Sequence, residues 1–305
     1  MKVRIGFGLG TTTGMHDPSR FADLVDALEE LRFDSLWLSE RLSGDAPDPL
    51  VALTFAAGRT TRLKLGTSVL VVPGRNPVVL AKQMATLDWV SGGRFLPAVG
   101  LGAPIPREHQ AFGIERTDRA PWFDEALPLM RRLWTEDEVS HQGERFTLDR
   151  FTLLPHPIQQ PIEVWLGGRA PGELRRVGRL GDGWLASFVT VDDVATGWDA
   201  ITASATAHDR TIDPEHLGVL VPYSNGPLPD SVAQFLTRRA PGADPVDPAD
   251  VIPVGLRGLR THLEALIGVG ASKFVVLPLP SGQPEADDLP AELTRIRDGL
   301  FDLQT

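Results

Sequence analysis

The stretch 65–95, LGTSVLVVPGRNPVVLAKQMATLDWVSGGRF, decides the fold. It opens on a run without charge, rich in aliphatic and β-branched residues, which with Lys64 ahead of it reads as a buried strand over 64–72. Pro73-Gly74 then turns the chain, and Asn76-Pro77 supplies a cap and a first-turn proline, so a helix is expected over 77–90. Gly92-Gly93 closes that helix, and a strand over 95–99 follows at once. Strand, helix and strand in immediate succession form a parallel βα unit.

The same alternation extends outward. Upstream, strands are expected at 3–9 and 35–39 and helices at 19–31 and 49–57. Downstream, helices at 121–134, 171–180, 191–207, 255–267 and 291–301 alternate with strands at 162–166, 183–187, 217–222 and 273–277. Two stretches break the rhythm: 135–160 reads as a hairpin insert, and 223–253, rich in proline, glycine and aspartate, as a mobile loop or second insert. Eight strands separated by helices, joined by right-handed crossovers, give a single (β/α)8 barrel over 1–305 as the simplest α/β topology.

Composition narrows the chemistry. With 42% hydrophobic and 23% charged residues, the chain can bury a large core and stay in solution. It has no cysteine, which removes disulfides, thiolate catalysis and sulfur-ligated metals together. A net charge of -10 opposes nucleic-acid binding and points to a small-molecule partner. No leader pattern or membrane-length apolar run is visible, so no membrane association and a cytoplasmic location are expected. The seven histidines have no metal-site spacing and no GxSxG elbow occurs, so neither metal catalysis nor a hydrolase triad is expected. Trp37, Trp165 and Trp184 sit in strand segments and read as core filler.

In parallel barrels the chemistry sits where strands run into their following loops. After the first strand, Gly8, Gly10 and Gly14 lack the spacing of a dinucleotide fingerprint and read as a flexible loop. After the second come Glu40 and Arg41, either a salt-bridged strand end or a catalytic pair at the rim. After the fourth, Gly100 and Gly102 would let a planar ligand approach the backbone. After the fifth, Gly167, Gly168 and Arg169 precede a helix that starts at Pro171, so free N–H groups and a guanidinium there would favour a phosphate. The plainer reading is a turn that needs glycine.

Five segments in order, FDSLWLSER (33–41), the 65–95 stretch, FDEALPLMRRLWTEDEVSHQGERFTLD (123–149), PIEVWLGG (161–168) and GRLGDGWL (178–185), resemble the luciferase-like monooxygenases and their deazaflavin-dependent relatives. The resemblance implies a β/α barrel with inserts and an oxidoreductase that moves a hydride between the deazaflavin coenzyme F420 and a small organic substrate. It also implies a non-prolyl cis peptide at Ser68-Val69 behind the cofactor ring and a phosphate cradle at Gly167 and Gly168. FMN is the alternative cofactor, in a two-component monooxygenase served by a reductase partner, and a cofactor-binding protein without turnover is a further alternative. A homodimer built through helices is compatible with any of these. One departure stands out: sugar-phosphate dehydrogenases of this kind carry Asp-His and a glutamate where this chain has Glu40-Arg41 and Ala103, so their acid/base set is missing.

Overall fold

Three outer helices begin alike. Asp17, Asp48 and Asn76 each precede a proline, and their side chains accept N–H bonds from Ser19, from Val51, and from Val78 and Val79. The cap satisfies donors that have no carbonyl partner, and the proline occupies a position whose N–H is not needed. The computed structural model describes residues 1–11, 17–228, 236, 246–279 and 289–305. Along the chain lie β1 (Arg4–Leu9), α1 (Pro18–Glu30), β2 (Ser35–Leu38), α2 (Pro49–Arg59), β3 (Lys64–Val71), α3 (Pro77–Ser91), β4 (Phe95–Gly100), α4 (Pro106–Ala111) and α5 (Arg119–Thr135). Next come β5 (Val139–Gln142), β6 (Thr147–Phe151), β7 (Trp165–Gly167), α6 (Pro171–Leu180), β8 (Gly183–Ser187), α7 (Val191–Thr206) and β9 (Leu217–Tyr223). The helix Gly255–Gly268 (α8), strand β10 (Lys273–Pro278) and the helix Leu289–Leu300 (α9) follow.

Eight strands close a parallel barrel in the order β1-β10-β9-β8-β7-β4-β3-β2, as the alternation of the sequence requires. β5 and β6 pair antiparallel inside the expected 135–160 insert. The Glu125 side chain on α5 anchors that hairpin by accepting from the N–H groups of Arg145 and Phe146. Much of the expected 223–253 insert, like Gly14 in the first loop, lies outside the described residues. The six-residue helix α4 was not expected, and α5 starts two residues before the anticipated Pro121. The strand expected at 162–166 begins only at Trp165. The Glu29 carboxylate on α1 accepts from the backbone of Thr61, Arg62 and Leu63 and closes the turn into β3. Among the described residues no helix is long and apolar enough to cross a membrane.

Strand alternation divides the core into two layers. Leu36 and Leu38 pack with the helices, while Trp37 joins Ala98, Trp165, Leu185, Leu220 and Val275 in the barrel interior. The indoles take space that neighbouring strands must leave free: a Cβ on Gly66 would stand 2.3 Å from Trp37, and one on Gly183 would stand 2.6 Å from Trp165. Trp184 faces outward against Gly197 of α7, so all three tryptophans fill the core. Below the indoles, at the N-terminal end of the strands, Asp34 draws together Lys64, Lys273 and Arg4 at 3.2, 3.3 and 3.5 Å.

Candidate active site

At the C-terminal ends of the strands many lining positions are small, Gly10, Ser39, Ser68, Gly100, Gly167 and Ser187, with Leu220 and Leu277 the larger ones between them. They leave a cavity of about 570 Å³, walled also by Glu40, Arg41, Val69, Leu101, Gly102, Gly168 and Glu173. The Ser68-Val69 peptide is cis, and the β3–β4 register slips between Ser68 and Leu70. Val69 thereby turns inward, between two glycines. A Cβ on Gly100 would come within 2.9 Å of its side chain and one on Gly167 within 2.7 Å. The Ser39 hydroxyl donates to the Ser68 carbonyl at 2.9 Å and fixes this bulge from the next strand.

The Glu40 side chain is 2% exposed. It accepts from the Val71 N–H at 2.7 Å and pairs with Arg75. Burial pushes its carboxyl above the ordinary range, against the opposing pull of Arg75 and of the Val71 N–H. Arg41 lines both the main cavity and a small annex behind it, shared with Glu108 and Arg119. Glu108, on α4, accepts from the N–H groups of Leu42 and Ser43 at 3.0 and 3.1 Å. Burial opposes its ionisation, but those donors and Arg41 outweigh it and hold the carboxyl below its ordinary range. Arg119 donates to the carbonyls of Leu101 and Gly102 at 3.1 and 2.9 Å, which fixes the loop after β4.

The loop after β7 departs from expectation. Gly168 has φ +113°, a conformation that favours glycine, and its carbonyl accepts from the Trp184 indole at 2.8 Å. The N–H groups of Arg169 and Ala170, expected to be open to a phosphate, both donate to the Glu173 carboxylate at 2.9 Å. Arg169 does not wall the cavity; its guanidinium donates to the Phe188 carbonyl. Eight of the nine anticipated site residues therefore share the cavity, and Arg169 stands behind it as a brace for the neighbouring loop. Arg75, Glu108, Arg119 and Glu173 were missed. Glu173 carried a signal, since an acidic side chain three residues past the helix-capping position is the usual partner of that position's N–H. Among the described residues no group of three or more His, Asp or Glu side chains is placed to hold a metal.

Sequence and fold comparisons agree with this geometry. Residues 2–232 match the family described as luciferase-like monooxygenase. An F420-dependent glucose-6-phosphate dehydrogenase of Kineococcus radiotolerans is 34% identical over 180 residues, 56% of this chain and 52% of that protein. The 4-hydroxyprotoasukamycin monooxygenase of Streptomyces nodosus subsp. asukaensis is 32% identical over 207 residues, 64% of this chain and 55% of that protein. The matches thus span little more than half the length of these relatives. A solved F420-dependent secondary alcohol dehydrogenase, in complex with an F420-acetone adduct, superposes with a TM-score of 0.81 over all of both chains at 19% identity, a likeness of fold. Two thirds or more of the chain fits one family, and it belongs to the luciferase-like monooxygenases.

Proposed function

We propose that this chain is an F420-dependent oxidoreductase that passes a hydride between the deazaflavin and a small organic substrate. The observation that carries the reading is the Val69 platform: an apolar bulge held between Gly100 and Gly167 on the floor of an open cavity. A flat ring system fits such a floor, because the glycines leave its edges free of side chains. Ser68, Val69, Gly100, Gly102, Gly167 and Gly168 are the cofactor contacts of this proposal. The bound deazaflavin supplies the hydride chemistry, and the protein supplies orientation and electrostatics.

Glu40 works by holding. With both carboxylate oxygens engaged, it fixes Arg75 and the end of β3, and Arg41 is left as the charged group facing substrate. A guanidinium keeps its proton, so Arg41 orients a substrate or stabilises negative charge and does not shuttle protons. That is a different task from the acid/base work of a histidine and glutamate, and sugar-phosphate oxidation is not part of the proposal. The identity to a named monooxygenase supports the second reading, an FMN-dependent monooxygenase working with dioxygen and a partner reductase. On either reading we place a homodimer on α2 and α3, which pack side by side and expose Val51, Val79 and Trp89 to 72%, 56% and 54%.

Fluorescence-quenching titrations with F420 and with FMN test the reading. F420 is expected to bind the more tightly, by tenfold or more; equal or reversed affinities would sink the deazaflavin assignment.

A further inference from the structure

Arg41 is clamped on both sides. Ahead of it, the Glu40 carboxylate is tied to the Val71 N–H and to Arg75. Behind it, the next two N–H groups, of Leu42 and Ser43, donate to Glu108, and the third, of Gly44, donates to the Arg41 carbonyl at 3.1 Å. Glu108 is only 5% exposed, so this clamp is a buried one. The side chain is treated differently: among the described residues the Arg41 guanidinium makes no hydrogen bond, although it walls both the cavity and the annex. Its backbone is fixed and its donors are unspent.

The charges around Arg41 are largely spoken for. Around the annex stand the guanidiniums of Arg41, Arg119 and, behind Glu40, Arg75, against the carboxylates of Glu40 and Glu108. Arg119 is 8% exposed, its bonds run to carbonyls, and its buried Nε has no partner. The remaining titratable side chain there, His109, shares a hydrogen bond with the Ala103 carbonyl. The nearest further carboxylate on the cavity wall, Glu173, is already bonded to two N–H groups. With Arg116 and Glu173 acting on Arg119 and Asp48 acting on Glu40, the two signs balance, so the preference for an anion lies with the unspent donors of Arg41, whose planar guanidinium matches the oxygens of a carboxylate or phosphate.

We propose that Arg41 is the residue that selects the substrate, by binding an anionic oxygen of a carboxylate or phosphate group on it, and that Glu108 is its positioning residue. The inference rests on the cavity being the catalytic one. It separates this chain from relatives with a histidine at that position, because a fixed cation holds a substrate where a histidine would exchange a proton with it.

The test uses the full chain, with inorganic phosphate and benzoate as probes at ionic strength held constant with potassium chloride. The thermal midpoint is followed against probe concentration, without cofactor and with saturating F420. A saturable rise is expected in both conditions for at least one probe. Arg41→Met should weaken the apparent affinity tenfold or more, and Arg41→Lys should restore part of it. Glu108→Gln should weaken it roughly three- to tenfold, read from the concentration dependence and so separable from any change in the unliganded midpoint. A parent protein without a saturable rise, or an Arg41→Met variant that keeps its affinity within twofold, would overturn the proposal. So would a rise that vanishes under saturating F420, since the anion at Arg41 would then be the cofactor's own. Failure of F420 to quench would count against the cofactor reading alone, because the arms without cofactor still report on Arg41.

Discussion

The two mouths of the barrel are built from the same eight strands and could hardly differ more in what fills them. At the N-terminal mouth the inward positions carry Trp37 and Trp165 over the Asp34 ion cluster, and Trp37 passes its indole N–H to Ser35 and through it to Asp34. At the C-terminal mouth no indole enters: glycines and serines alternate with Val69, Leu220 and Leu277 around an open space, and the carboxylates of Glu40 and Glu108 beside it are tied to backbone N–H groups. One end puts its bulk into packing, the other leaves room and spends its polar groups on holding loops in place. Substitutions at the first end should therefore cost stability, and those at the second should cost ligand affinity.

Trp37→Ala should give the largest effect. The indole is 1% exposed and closely covered by Gly66, and its loss removes buried area and leaves a cavity that rigid strands cannot close. A loss of about 3 to 5 kcal/mol is expected by denaturant unfolding. A loss below ~1 kcal/mol would mean that this mouth is not the stabilising one.

Asp34→Asn comes next. Its carboxylate is the common partner of Lys64, Lys273 and Arg4, and Lys273 is itself 9% exposed, so removing it strands a buried ammonium at a cost of about 3 kcal/mol. Burial alone would raise the Asp34 carboxyl, but Lys273, Lys64 and the Ser35 hydroxyl outweigh it and hold it below its ordinary value. Glu29, Glu108 and Glu125 are shifted the same way. A depressed folded-state value means that the unfolded chain takes up protons first as the pH falls. The stabilisation is then complete above the ordinary carboxylate range, about pH 4 to 4.5, and is lost as acidification passes through the depressed values. Glu40, shifted upward, contributes with the opposite sign: its contribution is full below the ordinary glutamate value and fades as the pH rises through its raised one. The thermal midpoint of the parent should fall on acidification below that range, and less steeply in Asp34→Asn. Parallel curves would remove Asp34 from the explanation.

The contrast between the ends also explains what the sequence made legible. Strand and helix periods, proline after an acidic or amide cap, and glycine at helix ends are local signals, and they placed the eight strands of the barrel, while the break in that rhythm over 135–160 marked the insert that holds the hairpin. The site was legible only where its chemistry is local: adjacent Glu40 and Arg41, and the glycines that follow β4 and β7. Glu40 meets Arg75 across 35 positions, and Glu108 meets Leu42 across 66, pairings that exist only once the barrel has closed. α4 escaped because six residues inside a glycine- and proline-rich loop carry too little periodicity to stand out. The N–H groups of Arg169 and Ala170 were misjudged for another reason: counting free donors at a helix start left out the carboxylate four residues on from Arg169 that takes both.

That carboxylate offers the mildest and most discriminating test of the contrast. Glu173 sits on the functional mouth, but its bonds to Arg169 and Ala170 make it a cap for α6. Glu173→Ala should lower stability by about 1 kcal/mol, the usual value of a lost cap. It would also bare two N–H groups at a helix N-terminus beside the cavity, where the helix dipole favours an anion. Inorganic phosphate should accordingly raise the thermal midpoint of Glu173→Ala more than that of the parent. F420 affinity should stay within threefold, since the carboxylate braces a loop behind Gly168 and the proposed ring platform lies at Val69. A tenfold loss of F420 affinity with stability preserved would place Glu173 in contact with the cofactor. An unchanged phosphate response would mean that the loop from Gly168 to Ala170 collapses onto its own N–H groups once the cap is gone.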